Sequence, residues 1–106
     1  MSTESELKRS RDQAVRLRGD IRRYSSTVAT KRKKAADAQA SASRSNSSST
    51  IRSRLREAET AAKEANSAAS KRAAAEKKVA AAEQKIAELQ TEYEKEQRVQ
   101  TERALA

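Results

Sequence analysis

The stretch Ala42-Ser43-Arg44-Ser45-Asn46-Ser47-Ser48-Ser49-Thr50-Ile51 decides how this chain folds. Short hydroxyl and amide side chains bond the neighbouring backbone, so they favour turns and caps over helix interiors. On either side Ala, Glu, Lys, Arg and Gln abound, Pro is absent and Gly occurs once. Those are strong helix formers without breakers. The spacing predicts one domain of two helices, at about residues 4–43 and 50–104, joined by a Ser-rich turn at about 44–49. Without a break there, the same chain reads as one continuous helix. Ser48, Ser49 and Thr50 are the candidate N-caps of the second helix.

Working outward, each side carries a seven-residue repeat. Before the turn Leu7, Ala14, Ile21, Val28, Ala35 and Ala42 recur, with Ser10, Leu17, Tyr24, Lys31 and Ala38 three positions on. After it come Ile51, Ala58, Ala65, Arg72, Val79, Ile86 and Tyr93. Their expected companions are Leu55, Ala62 and Ala69 early, then Ala75, Ala82 and Leu89. Such heptads make a helix–helix seam. Arg72 interrupts it, but its aliphatic stem lies along a seam while the head reaches water. Thr3 and Glu6 have the spacing of a capping box. Gly19 costs roughly 1 kcal/mol against Ala inside a helix.

An antiparallel hairpin turning near Asn46 and Ser47 brings together residues whose numbers add to about 93. Leu7 then meets Ile86, Ala14 meets Val79 and Val28 meets Ala65. Bulky residues mostly face small ones, as interdigitated layers require. The fold class is therefore all-α: an antiparallel two-helix coiled-coil hairpin with an Ala-rich seam and a longer second helix. The predicted seam is Leu7, Ala14, Leu17, Ile21, Tyr24, Val28, Ile51, Leu55, Ala65, Val79 and Ile86. Past Ile86 the second helix overhangs the first. Leu89, Tyr93, Val99 and Leu105 are candidate partner-binding residues there.

Composition narrows function. Of 106 residues 22 are Ala, while Leu, Ile and Val total 12 and Phe and Trp are absent. That is too little to fill a globular core, so self-association would help stabilise the fold. No Cys or His occurs, which removes thiolate metal sites, disulfides and the commonest general base. No nucleophile sits beside a base and no Gly-rich loop cradles phosphate. The expectation is no enzyme, no cofactor and no small-molecule substrate. The acidic opening Met1-Ser2-Thr3-Glu4-Ser5-Glu6 lacks an apolar stretch, and no apolar run is long enough to span a bilayer. A cytoplasmic address is expected, with leaderless export as the alternative.

Charge is unevenly placed. Residues 1–56 hold 15 Lys and Arg against five acids, and residues 57–106 hold nine against ten. The excess lies in the first half, which points to an acidic partner. Arg22, Arg23, Lys31, Arg32, Lys33 and Lys34, with Arg44, Arg52, Arg54 and Arg56 about the turn, are the candidate anion-binding residues. An anionic membrane is a weaker partner, because Leu7, Leu17, Ile21, Tyr24 and Val28 are already claimed by the seam and no Trp or Phe is present.

The stretch from Lys33 to Glu92, with its Ser-rich turn and the run Ser49-Thr50-Ile51-Arg52-Ser53-Arg54-Leu55-Arg56-Glu57-Ala58-Glu59, resembles the Lys/Ala/Glu-rich helical hairpins that precede effector domains in bacterial immune and conflict proteins. That resemblance implies an adaptor or oligomerising role. In shape the hairpin is also similar to the Trp-x-Gly proteins of type VII secretion. Ser45-Asn46-Ser47-Ser48-Ser49-Thr50 stands where their turn motif falls, and Gln97 stands four residues after Tyr93 in place of an acid. The expected function is non-enzymatic coiled-coil interaction or scaffolding, with a second copy or another helical chain as partner. The alternatives are a basic helical protein that binds nucleic acid through its phosphates, and a small exported hairpin that travels with a partner.

Overall fold

The computed structural model describes residues 2–106. Two α-helices, α1 (Thr3–Arg44) and α2 (Ser48–Leu105), form an all-helical antiparallel hairpin, with no strand among the described residues. The second helix is the longer, at 58 residues against 42.

The link is short because a backbone bond closes α1 and a hydroxyl caps α2. The Ser45 N–H donates to the Ala42 carbonyl at 3.3 Å and closes α1. The Ser47 N–H donates to Ser45 Oγ at 3.1 Å. Ser47 is the N-cap of α2: its Oγ accepts from the Thr50 N–H at 3.4 Å, and its carbonyl from the Ile51 N–H at 2.9 Å. The cap therefore falls one residue before the Ser48, Ser49 and Thr50 expected from sequence. At the other helix start, Ser2 takes the role expected of Thr3. Its Oγ accepts from the Ser5 N–H at 3.2 Å, which leaves the Thr3 hydroxyl to reach across to α2. Adjacent hydroxyls offer equivalent caps, and tertiary contact chooses between them.

The hairpin divides into two compact units, each drawing on both helices: a terminal unit of residues up to Gly19 with Ala75–Ala106, and a loop unit of Asp20–Ala74. In the terminal unit Leu7, Ser10, Ala14, Ala75, Ala82 and Leu89 are buried, with Leu17, Val79, Ile86 and Tyr93 half-buried. In the loop unit Val28, Ala38, Ala42, Ala58, Ala61, Ala65 and Ala68 are buried, with Ile21, Tyr24 and Ile51 half-buried. Alanine loses no side-chain freedom in a helix, and its small side chain lets two backbones approach closely. No buried side-chain nitrogen or oxygen among the described residues lacks a hydrogen-bond partner.

Two expectations need correction. Leu55 does not line the seam: it is 50 % exposed, Ala62 is exposed and Ala69 only half-buried. The companions of Ala58 and Ala65 are instead Ala61 and Ala68, three residues on, where the stripe continues to Ala75, Ala82 and Leu89. Leucine is the more apolar residue, but helix geometry places it beside the stripe.

The overhang also starts later than expected. Leu89 is buried, Tyr93 is half-buried, and Thr3 Oγ1 donates to Glu96 Oε1 at 2.7 Å. Helical side chains lean toward their own N-terminus, so in an antiparallel pair the two leans converge. Contacts then join residues whose numbers add to more than the loop-centred 93. Arg11 with Gln90 and Arg18 with Glu83 each give 101 in the terminal unit, and Lys31 with Glu64 gives 95 in the loop unit. Leu89 and Tyr93 thus belong to the seam, while Val99 and Leu105 stay exposed.

Candidate interaction surface

The unit boundary sharpens the charge asymmetry of the sequence. The loop unit holds 13 Lys and Arg against five acids, a net +8, and the terminal unit 11 against ten, a net +1. Within residues 31–56 eight cations meet a single acid, Asp37.

Three of the ten candidate anion-binding residues are engaged. Arg23 pairs with Asp20 one turn earlier. Arg54 Nη1 meets Glu57 Oε2 at 3.0 Å. Lys31 Nζ crosses the hairpin to Glu64 Oε2 at 2.7 Å. That hydrogen bond and charge hold the Glu64 carboxyl below its ordinary value, partial desolvation works against the shift, and the Lys34 charge adds to it. Lys31 therefore acts as a strut between helices. Arg22, Arg32, Lys33, Lys34, Arg44, Arg52 and Arg56 are exposed and make no ion pair among the described residues.

Shallow grooves run between the helices of the loop unit. Thr30, Lys33, Lys34, Asp37, Ser41, Arg54 and Glu57 line one, and Lys34, Ser53, Arg56, Thr60 and Glu64 contribute to the next. Sequence reasoning passed over Thr30, Ser41 and Thr60. Their only signal is spacing: each lies two residues after, or one before, a seam residue, on the groove side. Both grooves mix cations with carboxylates, so neither is an anion pocket.

In the terminal unit the exposed large apolar residues are Val15, Val99 and Leu105. Val99 lies in a shallow depression with Glu92, Lys95, Glu96, Gln100 and Arg103. Among the described residues no group of three or more acidic side chains is placed to hold a metal ion. No helix among them is long and apolar enough to cross a membrane. Neither the protein-family models, nor the curated proteins, nor the solved structures give a significant match to the chain.

Proposed function

We propose that this chain is a non-enzymatic helical interaction protein, a scaffold-type hairpin whose loop unit engages a polyanionic partner. One observation carries the reading: the loop unit has a net +8 and the terminal unit a net +1. Concentrated like charge destabilises a compact state and raises the local concentration of counter-charged partners. An Ala seam fits this role, because it holds two helices in fixed register while leaving their outer faces to charge.

Retention on an immobilised polyanion such as heparin tests it. Replacing Arg32, Lys33, Arg52 and Arg56 with Gln is expected to lower the eluting salt clearly. Replacing four exposed lysines of the terminal unit, Lys77, Lys78, Lys85 and Lys95, removes the same charge and is expected to change it little. Equal shifts from both variants overturn the reading. A second reading, self-association, is favoured by Val99 at 44 % and Leu105 at 84 % exposure, both beyond the Thr3–Glu96 contact.

A further inference from the structure

Resting on that reading, the positions of the loop unit's charges name a partner. At 100° per residue, positions one or four after a seam residue share one flank of a helix, and those one before or two after share the other. In an antiparallel pair, like flanks of the two helices fall on the same side. The shared groove of Lys34, Ser41 and Glu57 marks one side of the loop unit, and the field of Lys34 at Glu64 agrees with it. Asp20, Asp37, Glu57 and Glu64 all belong to this carboxylate-bearing flank.

The opposite flank has a different character. Arg22 follows Ile21 by one, Arg52 follows Ile51 by one, and Arg32 follows Val28 by four. Lys33 and Arg56, five after Val28 and Ile51, sit at the back edge of each helix and border the grooves of the carboxylate-bearing side. The one acid on this side is Glu59, whose charge is taken by Lys63 at 3.3 Å. By helix rise, Arg22, Arg32 and Arg52 follow one another along the flank at about 14–15 Å. This exceeds the roughly 3.4 Å rise between phosphates of one strand, so each arginine addresses a different part of a polyanionic backbone.

We infer that this arginine flank binds the phosphate backbone of duplex nucleic acid without reading its sequence. Phosphates are met by Arg and Lys with Ser, Asn and Gln as neutral donors, and Ser25, Gln39 and Ser43 share this flank. No aromatic side chain lies on it to stack an unpaired base, which disfavours single strands. Its one large apolar residue is Leu55, and the rest are alanines such as Ala29, Ala36, Ala62 and Ala73, which is poor anchorage for a bilayer.

Binding to a short duplex DNA of arbitrary sequence, followed by fluorescence anisotropy across a salt series, tests the inference. Contact of these arginines with about three phosphates gives a log–log salt slope near −2.7, so affinity falls roughly 40-fold between about 50 and 200 mM salt. Replacing Arg22, Arg32 and Arg52 with Gln is expected to bring the slope close to zero. A control that loses equal charge from the other side, Lys34, Arg44 and Lys71 to Gln, is expected to keep the parental slope. Circular dichroism confirms that both variants remain helical. Equal loss in the two variants overturns the inference, as does tighter binding to phosphatidylserine vesicles than to the duplex. Loop-dependent heparin retention without duplex binding leaves the interaction function standing and removes only this partner.

Discussion

Truncating Leu89 to alanine and, separately, Leu55 to alanine sets the structure against the simplest hydrophobic pattern of the sequence. Leu89 is 6 % exposed and Leu55 50 %. Each change deletes three carbons, and at about 0.8 kcal/mol per buried methylene the full loss at Leu89 is about 2.4 kcal/mol. This lies at the low end of the roughly 2–5 kcal/mol seen for core leucines, as suits a two-helix seam bordered by solvent that closes over part of the cavity. At Leu55 half the burial is forfeited, and alanine's better helix propensity returns a little, leaving about 1 kcal/mol or less. At about 4–8 °C per kcal/mol, L89A should lower the melting temperature by roughly 10 °C or more and L55A by a few degrees. Thermal and urea melts followed by far-ultraviolet circular dichroism measure both. If L55A costs as much as L89A, the stripe through Ala58, Ala61, Ala65 and Ala68 is misplaced and Leu55 belongs to the seam.

Two further outcomes are expected. Because Lys31 holds the Glu64 carboxyl below its ordinary value, the pair's contribution is complete above the unfolded glutamate value of about 4.3 and is lost as pH falls through the lower folded value. Stability of E64Q should therefore fall less steeply than that of the parent below about pH 5, and superimposable acid limbs would remove Lys31 as a strut. Self-association through the exposed end of α2 predicts a sedimenting mass above one chain that V99S/L105S returns to the monomer; an unchanged mass leaves that surface without a role.

Much of the seam is legible from Leu7, Ala14, Val28 and Ala42 alone, because a heptad of apolar residues admits few arrangements in a helix. Leu55 misleads because hydrophobicity is strongest where geometry is weakest: the nearby seam positions are filled by alanines. Leu89 and Tyr93 mislead for another reason. Backbone levels can be counted from the loop, but the opposed lean of side chains carries the covered surface further along α2. The charge excess is also countable in sequence. Which cations are spent on struts and pairs is not, since Lys31 and Glu64 are distant in sequence and meet only in the folded hairpin. The division of the loop unit into a carboxylate flank and an arginine flank likewise needs the seam to be fixed first, because a one-residue error rotates every charge by 100°.

The comparison of loop unit with terminal unit is most direct when read residue by residue. Backbone amide shifts during titration with a short heparin fragment should change at Arg22, at residues 31–34 and at residues 52–56. Lys77, Lys78, Lys85 and Lys95 should remain unmoved. Shifts spread evenly over the lysines and arginines of both units would contradict the proposed surface and reduce the positive charge to a solvated coat.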